Sequence, residues 1–92
     1  MPDKPSLFVP PHLQPGQRLR HYKGGLYRVE GACLIEATLE TGILYRPEQG
    51  NGTDVLWMRP AAAFDEWVPT SQGPVRRFTS ERFRSTRGAT GP

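Results

Sequence analysis

Three segments of the sequence place aromatic residues close to cations, a combination suited to binding an anionic ligand. The residues are His21, Tyr22, Lys23, Tyr45, Arg46, Trp57 and Arg59. Successive side chains of a β-strand point to opposite faces, which predicts Tyr22, Tyr45 and Trp57 on one face. His21, Arg46 and Arg59 are then expected on the other face. Guanidinium groups bind phosphate or carboxylate in a bidentate manner, so this second face predicts an anion-binding patch.

The same residues also have a purely structural interpretation. The arginines can pair with carboxylates on a solvated surface, where ion pairs contribute little stability. The candidate carboxylates are Glu30, Glu48 and Asp65. The aromatic residues can form the core, because small cores often depend on aromatic side chains. From the sequence alone, both interpretations stay open.

The C-terminal region supplies a second candidate site. Residues 74–92 carry a net charge of +4, whereas residues 18–73 carry −1. The candidate residues are Arg76, Arg77, Arg82, Phe83, Arg84 and Arg87. Arginines interleaved with aromatic residues suit single-stranded nucleic acid, which they bind through phosphate contacts and base stacking. The alternative is a solubilising tail, since runs of charge are usually solvated.

No constellation typical of catalysis is visible in the sequence. Cys33 lies beside Leu34 and favours inert packing, and His12 lies among prolines without a fixed partner. The adjacent Asp65-Glu66 pair would point to opposite faces of a strand. One cysteine and two histidines do not supply the ligands of a structural zinc site. We therefore expect no catalytic residue, no metal and no cofactor.

Short strand-forming segments separated by turn signals predict an all-β fold. The predicted strands are Arg18–Tyr22, Leu26 towards Ile35, Thr41–Arg46, Asp54–Arg59, Glu66–Val68 and Val75–Phe78. Gly24-Gly25 and Asn51-Gly52 predict tight turns, and residues 60–64 predict one 3₁₀ turn. Five or six short strands favour a small SH3-like barrel, because closure removes exposed strand edges. The alternative is an open meander with one face covered by a second copy of the chain.

The composition divides the chain into three parts. Residues 1–17 contain five prolines and predict an extended arm, whose Leu7-Phe8-Val9 cluster can dock on the body. Residues 18–78 hold most of the large apolar residues and predict the barrel domain. Residues 79–92 are poor in apolar residues and predict a disordered, Arg-rich tail. No apolar run is longer than that of Val55–Met58, which is too short to span a membrane, so a cytoplasmic location is expected.

Three sequence blocks carry a family resemblance: they run from Arg20 to Val29, from Leu44 to Arg46, and from Leu56 to Pro60 followed by Phe64. These blocks resemble a bacterial family, the domain of unknown function 1653. The resemblance covers roughly residues 18–78. It implies a small SH3-type β-barrel in a bacterial cytoplasmic protein, and it implies no established activity, cofactor or catalytic residue.

These observations favour a non-catalytic binding module for an anionic partner, with nucleic acid as the first choice. A second hypothesis is a small-molecule site for a nucleotide or an acid, in a pocket walled by Tyr22, Tyr45 and Trp57 with Arg59 at its mouth. Such a site could be sensory or enzymatic. A third hypothesis is an accessory domain whose partner is another protein or a second copy of itself.

Overall fold

The structure is a computed structural model that describes residues 7–81. These residues form seven β-strands and two 3₁₀ turns. The strands are β1 (Arg18–His21), β2 (Leu26–Leu34), β3 (Thr41–Pro47), β4 (Trp57–Pro60), β5 (Trp67–Val68), β6 (Val75–Arg76) and β7 (Phe78–Glu81). The 3₁₀ turns span Pro11–Leu13 and Ala61–Asp65. Among the described residues, no helix is long and apolar enough to cross a membrane.

Five of the strands form one antiparallel sheet in the order β4-β3-β2-β1-β7, and β5 pairs with β6 in a separate hairpin. The large sheet curls around its core as a half-barrel, so the predicted all-β, barrel-like fold is confirmed. The predicted 3₁₀ turn is also confirmed, over Ala61–Asp65. At the β1–β2 hairpin, Gly24 has a φ of 104°, a conformation that the Gly-Gly pair was expected to supply.

The core lies on the concave face of the sheet. The buried residues are Leu13, Leu19, Val29, Ile43, Tyr45, Phe64 and Phe78. Strand alternation places Ile43 and Tyr45 of β3 on this face, and Phe64 of the second 3₁₀ turn packs onto it. Rings from three elements meet here, since Phe78 lies 5.0 Å from Phe64 and 6.0 Å from Tyr45 between centroids.

The N-terminal arm contributes more to the core than its prolines predict. Leu13, at the end of the first 3₁₀ turn, is fully buried. Of the expected docking cluster, Val9 packs against the core while Leu7 and Phe8 are exposed. The fixed φ of proline is compatible with the first position of a 3₁₀ turn. This explains why a Pro-rich segment can place Leu13 in the core.

Two strand boundaries differ by three residues from those predicted, and the predicted strand Val75–Phe78 is divided between β6 and β7. Strand β4 begins at Trp57 rather than Asp54, because the preceding turn continues and the Val55 N–H donates to the Gly52 carbonyl at 2.9 Å. Strand β7 continues to Glu81, so residues 79–81 pair with β1 where a disordered tail was predicted to begin. Residues 1–6 and 82–92 lie outside the described part of the chain.

Candidate functional site

The structure places Arg59 on the concave face, together with the aromatic residues from which alternation was expected to separate it. In the β3–β4 ladder, Tyr45 is opposite Trp57 and Ile43 is opposite Arg59. Directly opposed residues of antiparallel strands share a face, so Arg59 faces the core side. The predicted separation of Trp57 and Arg59 was wrong, because the two residues are two positions apart and alternation puts them on the same face.

His21 also lies on the concave face rather than on an outer patch. It is opposite Phe78 in the β1–β7 ladder, and the two ring centroids are 5.0 Å apart. Tyr22 follows the strand and is exposed beside His21, with ring centroids 4.7 Å apart. Among the described residues, Tyr22 is therefore outside the aromatic set that surrounds Arg59.

A groove of about 430 Å³ opens on the concave side of β4. Its walls include Tyr27, Tyr45 and Trp57, and Arg59 contributes a guanidinium group. Its rim is formed by Pro47 at the end of β3 and by Asn51, Gly52 and Val55 of the β3–β4 connection. Tyr27 forms the wall of the groove that the sequence predicted for Tyr22. The hairpin register could have revealed it, since the turn at Gly24 sets Tyr27 opposite the core residue Leu19.

The rim of the groove is anchored by an ion pair between β1 and the end of β3. The guanidinium of Arg18 donates to both carboxylate oxygens of Glu48, with the shortest contact at 2.7 Å. The hydrogen bond from Arg18 holds the pKa of Glu48 below its usual value, and Glu48 in turn raises the pKa of Arg18. The Glu48 N–H also donates to the Leu26 carbonyl at 2.9 Å. These bonds hold the start of the β3–β4 connection against the sheet.

The guanidinium of Arg59 lies over the aromatic core instead of extending into solvent. Its central carbon is 5.7 Å from the Phe78 ring centroid and 6.0 Å from that of Phe64. Its Nη1 is 4.0 Å from Glu66 Oε1, at the outer limit of an ion pair. Its Nε is buried and has no hydrogen-bond partner among residues 7–81. The side chain is thus held in place by ring contacts while one donor is left unused.

Cations surround His21 and make this end of the concave face electropositive. The pKa of His21 is lowered first by burial and then by the charges of Arg77, Lys23 and Arg59. The Lys23 N–H donates to His21 Nδ1 at 3.1 Å, which fits a neutral imidazole. Glu66 partly offsets the cations, since its Oε1 accepts from Arg77 Nε at 3.0 Å. Three cations near one carboxylate favour an anion here.

Arg46 is not part of this arrangement. It is opposite Arg28 on the convex face, where its Nε lies 3.3 Å from Glu30 Oε2. Its Nη1 donates to the Thr53 carbonyl at 3.3 Å. Glu30 also pairs with Arg28 at 3.1 Å. The structure therefore separates Arg46 from His21 and Arg59, which the sequence had placed together.

Of the C-terminal candidates, the structure describes Arg76 and Arg77. Arg76 stacks over the exposed ring of Trp67, 4.5 Å from its centroid. Its Nη1 also donates to the Asp65 carbonyl at 3.0 Å. The remaining candidates lie outside the described residues; they are Arg82, Phe83, Arg84 and Arg87.

The residues considered for catalysis are not assembled into a catalytic site in the described part of the chain. His12 Nε2 lies 3.3 Å from Asp65 Oδ1 but makes no hydrogen bond within residues 7–81. Cys33 is half-buried in β2. Among residues 7–81, no three His, Cys, Asp or Glu side chains are grouped so that they could hold a metal ion.

The fold and the groove together define a small, barrel-like β-domain with an aromatic groove and an electropositive end. The chain belongs to the DUF1653 family, a protein family of unknown function whose model matches residues 17–80. It is also similar to the crystal structure of a DUF1653 protein from Bordetella bronchiseptica, with 28% identity and a TM-score of 0.63. That match covers 82% of this chain and 94% of the other. A comparison with curated proteins finds no match. The resemblance inferred from the sequence is therefore confirmed.

Proposed function

We propose that the protein is a non-catalytic binding module for an anionic partner, and that this partner is single-stranded nucleic acid. The observation that carries the proposal is the buried, unpartnered Nε of Arg59 beside the aromatic groove, among the residues that the structure describes. A buried donor without a partner costs about 1–3 kcal/mol. A phosphate in the groove that draws the Arg59 guanidinium away from its ring contacts would accept that hydrogen bond and remove the cost.

The aromatic walls support a ligand that carries flat rings as well as charge. Trp57 is 54% exposed, which leaves much of its surface accessible to a base. Stacking on an aromatic side chain contributes about 1–3 kcal/mol per base and tolerates any base. Arg59 lines this groove and supplies charge for the phosphates, and it acts together with Arg77 on His21. The cytoplasmic location expected from the sequence belongs to this proposal, because it would bring the domain to RNA.

The test is a titration of the full chain with a fluorescently labelled single-stranded oligonucleotide, followed by anisotropy. Arg59→Met is expected to weaken binding at least about tenfold, since a charge-assisted hydrogen bond contributes about 1.5–3 kcal/mol. Arg28→Met is the matched control, because it removes one positive charge from the convex face. Equal weakening by both variants, or wild-type affinity for Arg59→Met, would show that net charge alone drives binding.

The Arg-rich residues beyond Glu81 are proposed to add electrostatic attraction to the groove. Replacing Arg82, Arg84 and Arg87 with serine in the full chain is expected to remove most of the binding. The salt dependence should also flatten, by about 0.7 in log–log slope for each lost phosphate contact. The remaining binding should still be weakened by Arg59→Met. Unchanged affinity and unchanged salt dependence in the triple variant would show that these arginines do not contribute to binding.

A second candidate ligand is a free nucleotide or an aromatic acid. The groove volume of about 430 Å³ supports it, because small-ligand pockets commonly measure about 300–1,000 Å³. A ligand at 100 times its dissociation constant adds about 2.7 kcal/mol to the unfolding free energy. Thermal unfolding with nucleotides and aromatic carboxylates should then show a shift that Arg59→Met abolishes. No shift with any of them would leave nucleic acid as the ligand class.

A further inference from the structure

A row of aromatic side chains crosses the sheet from the end of β1 to β4. The ring centroid of Tyr22 lies 4.7 Å from that of His21, which lies 6.2 Å from that of Tyr27. The Tyr27 and Tyr45 centroids are 5.6 Å apart, and Tyr45 is opposite Trp57 in the β3–β4 ladder. This aromatic row therefore connects the groove beside Trp57 to the region beyond β1.

The two ends of the aromatic row are its exposed parts. Trp57 is 54% exposed and Tyr22 is 37% exposed, whereas Tyr45 within the row is 7% exposed. Alternation along an unbroken strand would send Tyr22 away from His21. Strand β1 ends at His21, however, and the short distance between the two rings shows that they lie side by side. Each end of the row thus presents an exposed ring on which a base can stack.

A crevice of about 310 Å³ lies beside Tyr22, separate from the groove. Its lining includes Arg20 and Arg76 and, within residues 7–81, no carboxylate. Lys23 adds a third cation, since its Nζ lies 5.9 Å from the Tyr22 ring centroid. Cations beside an exposed ring can bind a phosphate while the ring stacks on the neighbouring base. The Tyr22 end of the row therefore has the same chemistry as the groove.

Both arginines of this crevice keep hydrogen-bond donors for a phosphate. Three N–H groups of Arg20 donate to Glu81 and to a backbone carbonyl. One N–H group of Arg76 donates to the Asp65 carbonyl. A guanidinium group has more N–H donors than these bonds use, in the part of the chain that the structure describes. Both side chains are also half-exposed, so a ligand can reach them.

Cations also lie between the two exposed ends of the row. His21 and Arg59 both lie against the Phe78 ring, at 5.0 Å and 5.7 Å from its centroid. Arg77 follows Phe78 in the chain, and its charge acts on His21. Glu66 offsets part of this charge through its contacts with Arg77 and Arg59. A strand that runs from one exposed ring to the other would therefore pass cations that attract its phosphates.

We infer that the ligand is an oligonucleotide of about five nucleotides or longer, with one base stacked on Trp57 and another on Tyr22. The inference rests on the proposed function and adds the length of strand that the site requires. Strands β1 and β4 are three ladder spacings apart in the sheet, about 14 Å at about 4.8 Å for each. Stacked nucleotides advance about 3.4 Å each, so about four steps cover this distance. A free nucleotide can occupy one end only.

The first test compares the full chain with its Tyr22→Ala variant in binding labelled thymidine oligonucleotides at one salt concentration. Tyr22→Ala should weaken binding of a pentanucleotide at least about fivefold, which corresponds to about 1 kcal/mol of lost base stacking. Binding of a dinucleotide, which the groove can hold alone, should stay nearly unchanged. Phe8→Ala is the matched control, because Phe8 is also exposed but lies on the N-terminal arm, and it should affect neither ligand. Equal weakening for both lengths, or none for the pentanucleotide, would overturn the inference.

A second test changes the ligand and leaves the wild-type chain as it is. Pentanucleotides that lack one base keep every phosphate, so the charge of the ligand stays constant. Removal of either terminal base should weaken binding at least about fivefold, because each terminal base stacks on a ring. Removal of the central base is the control and should have a smaller effect. Equal effects at all three positions would contradict stacking at two separate rings.

Failure of this inference and failure of the proposed function give different results. Pentanucleotide binding that Arg59→Met weakens and Tyr22→Ala does not would overturn the second stacking ring alone. Absence of binding by every oligonucleotide would overturn the inference together with the proposed function. Weakening of pentanucleotide binding by both variants, with the dinucleotide affected by Arg59→Met alone, is the expected result.

Discussion

Leu13→Ala tests whether the N-terminal arm belongs to the folded core. Leu13 is 0% exposed, so its whole side chain contributes to burial. The substitution removes three carbon atoms, a loss of about 2.4 kcal/mol at about 0.8 kcal/mol for each. The cavity that is left raises the expected loss to about 3 kcal/mol. A domain of this size has a total stability of about 5 kcal/mol, so more than half would be lost.

The assay is urea unfolding followed by tryptophan fluorescence at low temperature. The midpoint should fall while the slope stays unchanged, because the variant still unfolds the same structure. In thermal unfolding, the same loss corresponds to a decrease in Tm of about 12–24 °C. Leu7→Ala is the matched control in the same arm; Leu7 is exposed, so a change within about 0.5 kcal/mol is expected. Equal effects of the two substitutions would refute the assignment of Leu13 to the core.

The remaining stability predictions concern the sheet and its ion pair. In Gly42→Ala the added Cβ would lie 2.8 Å from Met58 Sδ, so we expect a loss of about 1–2 kcal/mol in urea unfolding. Gly31→Ala is the control, since its nearest atom is 4.0 Å away, and destabilisation there would contradict the packing argument. The pKa of Glu48 is lowered because Arg18 donates a hydrogen bond to its carboxylate. The contribution of this carboxylate to the stability of the fold is therefore present above the unfolded-state pKa, and it disappears as the pH falls through the folded-state pKa. Glu48→Gln should therefore lower Tm at neutral pH and have little effect once the pH is below the folded-state pKa of Glu48. An equal decrease at neutral and at acidic pH would refute the role of this carboxylate charge.

The elements that the sequence predicted best are those in which local chemistry and burial agree. Strands β1 to β3 have a buried face, and Gly-Gly at the first hairpin has few alternatives to a tight turn. The all-β class followed from these segments and from the prolines that end them. Leu13 was missed because its neighbours are prolines and polar residues, and only tertiary packing shows that the 3₁₀ turn delivers it to the core.

The candidate site was predicted in part, and its errors have physical causes. Tyr45, Trp57 and Arg59 do border one groove, as the pocket hypothesis expected. Tyr27 replaces Tyr22 because the hairpin register, rather than the distance along the chain, decides which residues share a face. Arg46 and Arg59 lie on opposite faces of the sheet. Side chains alternate between faces along each strand, and the pairing of the strands sets Arg46 opposite Arg28 and Arg59 opposite Ile43. The unused Arg59 Nε depends on contacts across the core that no sequence pattern reports.

The most direct measurement of the central claim is the fluorescence of Trp57 during nucleic-acid binding. Trp67→Phe removes the second tryptophan, which lies on the β5–β6 hairpin outside the groove. Titration of this variant with a single-stranded oligonucleotide should quench Trp57 as a base stacks on its indole. The quenching should follow the same binding curve as anisotropy and should disappear with Arg59→Met. Binding seen by anisotropy without any change in Trp57 emission would contradict a ligand in the groove.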